Sequence, residues 1–227
     1  MANFFPKWTN WLPVAVLVCL GAVGATTALA FNYYFTPKYT RVGYRPEQPV
    51  PFSHALHVKQ LGMDCRYCHS HVEESSHSNL PTSQTCMACH SQVKANSPKL
   101  EVVRDSWKTG KGIRWIQVHR PPDYVYFNHA AHVNRGVSCV ECHGKVNEME
   151  VVYHAKSHSM DFCLECHRAP EKFIRPPEHV YNLDWTAGSS AAQLEMGKKF
   201  VHEWNVNPPL TCQGKPMRLK ICISEPG

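Results

Sequence analysis

The sequence has little charge and no regular hydrophobic pattern over most of its length. Charged residues make up 19% of the 227 residues, below the average of about 25% for soluble domains. The net charge of +6 is scattered, and the longest basic run is the pair Lys198-Lys199, which disfavours nucleic-acid binding. Residues 52 to 180 contain no long amphipathic period, so an ordinary apolar core is not expected there. Something other than side chains must fill the interior.

Charge is absent from residues 11 to 35, and residues 12 to 31 are almost wholly apolar or small. Twenty helical residues rise about 30 Å, the thickness of the hydrocarbon core of a bilayer. Amphipathic rings, which prefer the membrane interface, stand near both ends: Trp8, Trp11, Tyr33 and Tyr34. We therefore expect an uncleaved transmembrane signal anchor at residues 1 to 35. The alternatives are a buried core helix and a cleaved signal peptide, because Ala28-Leu29-Ala30 resembles a cleavage site.

The same order of motifs occurs twice. Residues 52 to 90 contain FSHALH, CRYCH and CMACH, and residues 127 to 167 contain FNHAAH, CVECH and CLECH. The first histidines of the two copies, His54 and His129, are offset by 75 positions. A shared frame with small insertions indicates a duplicated unit.

Each copy contains two Cys-x-x-Cys pairs, whose spacing alone fits a four-cysteine zinc site. However, every pair is followed immediately by a histidine, although only 15 of 227 residues are histidine. CxxCH is the attachment signature of c-type haem: the sulfurs form thioethers with the haem vinyl groups, and the histidine binds iron. The predicted thioether residues are Cys65, Cys68, Cys86, Cys89, Cys139, Cys142, Cys163 and Cys166, and the predicted proximal ligands are His69, His90, His143 and His167. Four packed haems would supply the missing apolar interior.

Each iron needs a second axial ligand or keeps an open position. The histidines predicted as distal ligands are His54, His57, His129, His132 and His119. Further candidates are His154, His158, His179 and His202. Met160 is an alternative at the fourth haem, where a Met/His pair would raise the haem potential; ordinary packing is its other interpretation. We expect His71 and His77 to be ordinary residues of a polar loop.

These patterns predict a mainly α-helical and irregular fold with little regular secondary structure, in which haems form the core. Short helices are expected to start near His54 and His129 and to extend into the CxxCH segments, with a further helix near residues 191 to 200. Prolines disfavour helix before the first repeat. The predicted segments are the anchor at 1–35, a linker at 36–51, a first dihaem module at 52–100, a connector at 101–126, a second dihaem module at 127–181 and a C-terminal segment at 182–227.

Haem attachment also changes the expected net charge of the protein and indicates its orientation in the membrane. Four oxidised haems would add about −4 to the protein's charge through their propionates, so the assembled protein is near neutral. Thioether attachment takes place outside the cytoplasm. We therefore expect a single-pass protein of the inner membrane with a cytoplasmic N-terminus and a periplasmic haem domain. The basic residues after the apolar segment would alone indicate the opposite orientation: Lys38, Arg41 and Arg45.

The order F-x-H-x-x-H then CxxCH resembles the class III multihaem cytochromes. In that family the first histidine of the pair ligates the next CxxCH haem, and the second ligates a neighbouring haem. The resemblance implies that His54 serves the haem of His69 and that His129 serves the haem of His143. It likewise implies neighbouring haems for His57 and His132.

A closer resemblance covers RWIQVHRPPDYVYFNHAAHVNRGVSCVECHG at residues 114 to 144 and SMDFCLECHRAP at residues 159 to 170. Both resemble the multihaem cytochrome c subunit of alternative complex III. The resemblance implies an electron-transfer subunit that is no enzyme on its own, within a respiratory or photosynthetic complex that oxidises menaquinol. It also implies an iron–sulfur subunit, polytopic quinol-binding subunits, and a periplasmic carrier or oxidase as partners.

That family usually has a fifth haem near the C-terminus. Here Leu210-Thr211-Cys212 is followed by Gln213, and the second cysteine and the histidine of a CxxCH motif are missing. Three explanations stay open: a fifth haem attached to Cys212 by one thioether, a disulfide between Cys212 and Cys222, or a sequence altered after Cys212. The resemblance favours the fifth haem.

An electron-transfer module is the leading functional hypothesis. The main alternative is a stand-alone NapC-type, membrane-anchored tetrahaem quinol dehydrogenase. A multihaem reductase would need an open iron, which abundant spare histidines disfavour. A zinc-binding scaffold is the least favoured.

Overall fold

The computed structural model of the protein describes residues 5–35 and 41–210. Within these ranges it consists of short helices and irregular segments, and the only strand-like pairing is a bridge between Val137 and Ile174. This confirms the predicted mainly helical and irregular fold. The chain divides into two compact units, with the boundary between Val42 and Gly43.

The first unit contains helix α1 (Leu12–Phe35), preceded by the 3-10 turn Lys7–Trp11. Within Lys7–Phe35 an 18-residue stretch has a mean hydropathy of 2.2 and no buried residue, so this segment is long and apolar enough to cross a membrane. Thr26 and Thr27 donate their hydroxyl protons to the carbonyls four residues earlier. Their polar groups are therefore satisfied within the helix, as a bilayer would require.

The second unit contains both predicted haem modules. Its α-helices are α2 (Cys65–Cys68), α3 (Ser83–His90), α4 (Glu101–Thr109), α5 (His129–Val133), α6 (Cys139–His143), α7 (Met160–Arg168) and α8 (Ser190–Glu203). The segment Ala55–Gln60 is π-helical, and the 3-10 turns are Pro98–Leu100, Val146–Glu148, Pro170–Lys172 and Pro177–His179. Polar side chains cap several helix N-termini by accepting a backbone N–H: Asp64, Asn128, Ser159 and Ser189.

The helices near His54 and His129 do not continue into the CxxCH segments. The π-helical segment is followed by Gly62 at φ 70°, and α5 is followed by Gly136 at φ 77°. Glycine in this left-handed region ends a helix. At Gly136 a Cβ atom would also lie 2.3 Å from the Arg175 carbonyl oxygen. The CxxCH motifs therefore begin new helices instead of extending the preceding ones.

The apolar core of the second unit is small. Its connected cluster consists of Val72, Val133 and Val180, with Tyr181 packed against it. This cluster joins the loop after the first CxxCH motif to α5 and to the segment before α8. The helix predicted near residues 191 to 200 is α8, and it packs closely on Glu171 through Gly197.

Candidate haem-binding site

Two of the CxxCH sulfurs of the second repeat lie in apolar surroundings. Burial raises the pKa of the Cys139 and Cys142 thiols to about 12, which is the effect of removing a thiolate from water. Across the described ranges, no three His, Cys, Asp or Glu side chains converge to hold a metal ion.

Three proximal histidines have the same ring orientation. Each points Nδ1 at a backbone carbonyl: His69 at Asn79 (2.8 Å), His90 at Val93 (2.9 Å) and His167 at Pro209 (2.7 Å). A carbonyl oxygen can only accept, so Nδ1 carries the proton and Nε2 keeps its lone pair. Histidines that ligate metals almost always donate their second ring N–H in this way. These rings are therefore prepared to bind iron through Nε2.

Three of the predicted distal histidines are oriented in the same way. Their Nδ1 atoms donate to carbonyls: His57 to Ser53 (2.8 Å), His129 to Ser76 (2.9 Å) and His132 to Asn128 (2.7 Å). His54 differs, because its Nδ1 atom is buried and has no hydrogen-bond partner among the described residues. The two copies of the repeat are thus unequal at their first histidine.

Proximal and distal rings lie close together in three pairs, two of them stacked and the pair of His57 with His90 T-shaped. The ring centroids are 6.4 Å apart for His129 and His143, 6.1 Å for His132 and His167, and 6.2 Å for His57 and His90. A metal–imidazole bond is about 2 Å long, so two imidazoles on opposite sides of one iron have centroids roughly 6 Å apart. In each pair one ring comes from F-x-H-x-x-H and the other from CxxCH.

The fourth predicted pair is His54 and His69. Burial, with smaller contributions from nearby His69 and His57, lowers the pKa of His54 to about 4. The structure therefore brings His54 into the neighbourhood of His69. A neutral imidazole is the form that binds a metal.

Three further predicted candidates gather around His143. His119 lies edge-on to it at a centroid distance of 4.4 Å, too short for an iron between the two rings. His158 lies 6.0 Å away, but its Nε2 atom, which an iron would need, donates to the Cys142 carbonyl at 2.9 Å. His154 is 1% exposed and lies 4.7 Å from His158. Of the rings around His143, His129 has the geometry that fits a shared iron.

Burial favours the neutral form of the histidine side chains at the site. It lowers the pKa of His143 well below its ordinary value, with His119 and His158 adding to the effect. The pKa values of His129 and His132 are also lowered, mainly by burial. The rings therefore lie in surroundings that favour the neutral, iron-binding form.

The remaining predicted ligands are not brought to a CxxCH histidine by any described ring contact. His179 stacks on Trp185 at 5.2 Å, His202 is exposed on α8, and Met160 is 50% exposed in the first turn of α7. Cys212 and Cys222 lie outside the described residues, and so does the predicted fifth haem attachment.

Two phenylalanines at the site were not predicted from the sequence. Phe52 stacks on His57 at 4.4 Å and meets His54 edge-on at 4.8 Å. Phe127 does the same to His132 and His129, at 4.6 and 4.7 Å. The available signal was the phenylalanine that opens F-x-H-x-x-H in both copies.

The sequence reasoning also missed the carbonyl acceptors of Asn79, Ser76 and Pro209. Any residue type supplies a backbone carbonyl, so no side-chain pattern marks these positions. The donor set as a whole fits c-type haem, because paired cysteines lie beside neutral histidines with fixed Nδ1 protons. The His119 Nε2 atom is, in addition, buried without a partner in the described part of the chain.

The fold and the site define a multihaem c-type cytochrome, an electron-transfer protein. The chain belongs to the family of cytochrome c7 and related cytochromes c, which matches residues 50–106 and 125–196. It is also similar to the menaquinone reductase multihaem cytochrome c subunit of Nitratidesulfovibrio vulgaris strain Hildenborough. The two are 34% identical over 161 residues, which cover 70% of this chain and 69% of that protein. The expected multihaem cytochrome is thus confirmed, whereas this relative belongs to a menaquinone reductase and not to alternative complex III.

Proposed function

We propose that the protein is an electron-relay subunit of a membrane-bound quinone oxidoreductase complex. The observation that carries this proposal is the pairing of F-x-H-x-x-H and CxxCH histidines at about the separation that one shared iron requires. Two strong axial ligands leave an iron no open position for a substrate. The protein therefore moves electrons and is not itself the site of substrate chemistry.

Four ligand pairs are proposed: three follow the ring distances, and the pair of His54 with His69 follows the resemblance to class III multihaem cytochromes. They are His54 with His69, His57 with His90, His129 with His143, and His132 with His167. The eight CxxCH cysteines would attach the four haems. When bound, these haems supply one-electron chemistry, while the protein's carbonyls fix the ring tautomers and its apolar side chains exclude water.

A fifth haem at Cys212 is a further part of the proposal. It is supported by the resemblance described above and by His119, whose Nε2 atom is buried without a partner among the described residues and whose ring lies too close to His143 to share an iron with it. Pyridine haemochrome quantitation against protein mass tests the number. Five haems per chain support the attachment at Cys212, and four leave Cys212 without a haem.

The spin state of the haem irons tests whether the protein is an electron relay. We expect only low-spin ferric signals in electron paramagnetic resonance spectra of the protein purified from membranes, and no carbon monoxide binding by the reduced protein. A high-spin signal in the native protein together with carbon monoxide binding would identify an open iron. The multihaem reductase hypothesis would then replace the relay.

The direction of electron flow is proposed from the relative. Its name states that it belongs to a menaquinone reductase, whereas the sequence resemblance implied menaquinol oxidation. We propose that α1 anchors the subunit, that the haem domain is periplasmic, and that iron–sulfur and polytopic quinone-binding subunits complete the complex.

An assay of the purified complex in both directions separates these possibilities. We expect a reduced periplasmic cytochrome to drive reduction of a menaquinone analogue. Faster menaquinol oxidation with an oxidised carrier would instead favour the alternative complex III type. Menaquinol oxidation by the isolated subunit at the rate of the complex would favour the NapC-type dehydrogenase.

A further inference from the structure

Residues 70 to 79, called here the crossing loop, contact the ligands of two haems that the sequence assigns to different modules. We infer that the crossing loop is a shared positioning element for His69 and His129, so that it couples the first haem of one repeat to the first haem of the other. This inference rests on the haem ligation proposed above. It gives a role to a segment that the sequence alone marked only as a polar loop.

Asn79 holds the end of the crossing loop against the first CxxCH motif. Its backbone has φ 57°, a left-handed conformation that asparagine tolerates better than most residues. Its carbonyl accepts the His69 Nδ1 proton at 2.8 Å. Its side chain accepts from the His71 backbone N–H at 3.1 Å and donates to the Cys68 carbonyl at 3.5 Å. One residue therefore fixes the turn and aims the acceptor at the proximal ring.

Ser76 holds the other ligand from the middle of the same loop. Its carbonyl accepts both the backbone N–H of His129 at 3.2 Å and the Nδ1 proton of the same residue at 2.9 Å. The Ser75 carbonyl accepts from the Ala130 backbone N–H at 3.1 Å. The start of α5 is thus hydrogen-bonded to a segment more than fifty residues earlier in the chain.

Side chains of the second repeat region fasten the crossing loop. Asn134 donates from Nδ2 to the Glu73 carbonyl at 2.9 Å, and the Tyr181 hydroxyl donates to the Glu73 carboxylate at 2.8 Å. Val72 packs beside Val133 in the small apolar cluster. None of these contacts involves a proposed iron ligand, so the fastening can be altered without replacing a ligand.

The crossing loop affects His69 and His129 through the strength of the hydrogen bonds that its carbonyls accept from them. A carbonyl that accepts the Nδ1 proton makes the imidazole a stronger electron donor to iron, and a stronger donor lowers the haem potential. Loosening the loop should weaken both bonds together and raise both potentials. The acceptors of His57, His90, His132 and His167 lie elsewhere in the chain, so their haems should not respond.

The test uses the full chain carrying Tyr181→Phe with Asn134→Ala, which removes two fastenings of the loop. The matched control carries Tyr126→Phe with Asn96→Ala, the same chemical changes at exposed positions. Spectroelectrochemical titration with electron paramagnetic resonance then resolves the haem components. His54→Ala and His129→Ala each convert one haem to the high-spin form, which assigns the components of His69 and His143.

We expect these two components to shift to higher potential in the double variant, with unchanged haem content, while the other components and the control stay constant. Unchanged potentials, or an equal shift of all components, would overturn the inference. If the double variant loses haem, Tyr181→Phe alone is judged by the same criterion, because it removes one hydroxyl group only. Failure of the proposed ligation itself would be visible beforehand, as the absence of these assigned components from the parent protein.

Discussion

Two phenylalanines, Phe52 and Phe127, each contact both histidines of their repeat with almost the same geometry. The interplanar angle to the second histidine is 25° in the first copy and 29° in the second, and the angle to the first histidine is 88° and 87°. A planar ring in this place limits rotation of the imidazole about its Cβ–Cγ bond. The phenylalanines therefore set the ring planes that the irons would experience.

Replacing Phe52 by leucine keeps most of the apolar volume and removes the planar face. Aromatic contacts contribute about 0.5–1.5 kcal/mol beyond burial, so we expect a loss of about 1 kcal/mol in unfolding free energy. We also expect a changed low-spin g tensor for the haem of His57 and His90, measured by electron paramagnetic resonance. Phe200→Leu, in a stacked pair with Trp204, is the control. An unchanged spectrum for Phe52→Leu would show that the ring only fills space.

At the scale of elements, α8 holds its position through a close backbone approach. A Cβ atom at Gly197 would lie 1.9 Å from the Glu171 carbonyl oxygen. Gln193 strengthens the same contact by donating from Nε2 to the carbonyls of Glu171 (3.2 Å) and Ile174 (2.7 Å). The chain that follows α8 brings the Pro209 carbonyl to the Nδ1 atom of His167. The position of α8 therefore affects the carbonyl that accepts the Nδ1 proton of the proximal ligand His167.

Gly197→Ala should displace α8 because the obstructing atoms belong to the backbone. Overpacking of this kind costs about 1–3 kcal/mol, so we expect a lower midpoint of thermal unfolding by circular dichroism. We also expect a higher potential for the haem of His167, since its carbonyl acceptor moves with the helix. Gly112→Ala, where a Cβ atom meets nothing within 4 Å, should leave both quantities unchanged. Equal behaviour of the two variants would contradict the close-packing argument.

At the scale of the whole molecule, the site residues that the sequence could predict are those that covalent haem attachment and the duplication specify. The spacing of CxxCH names the cysteines and proximal histidines directly, and the duplication adds His57, His129 and His132, which the structure brings to CxxCH rings. The helical and irregular fold followed from the missing amphipathic period. The roles of these histidines as ligands stay predictions.

Other features depend on contacts that no local pattern records. The expected polar-loop character of residues 70 to 79 did not indicate their hydrogen bonds to α5, because backbone carbonyls carry no sequence signature. The separation of His119 from a shared iron with His143 depends on a 4.4 Å tertiary contact. The ends of the helices before the first CxxCH motif of each repeat depend on Gly62 and Gly136, whose positive φ values are set by the surrounding chain.

The duplicated architecture also predicts how two haem potentials compare. His129 donates its Nδ1 proton to Ser76, whereas the equivalent Nδ1 atom of His54 is buried without a partner in the described ranges. On the proximal side, His69 donates its Nδ1 proton to Asn79. The described hydrogen bonds therefore give each of the two haems one axial histidine that donates to a carbonyl of the crossing loop. We expect the haem of His54 and His69 and the haem of His129 and His143 to have similar midpoint potentials.

Redox titration of His54→Ala and His129→Ala measures both potentials, since each variant removes one low-spin component from the titration curve. The components missing from the two variants should lie at similar potentials. His202→Ala, at an exposed histidine of α8, should remove neither component. Clearly different potentials would mean that surrounding charges outweigh the two hydrogen bonds that the crossing loop accepts.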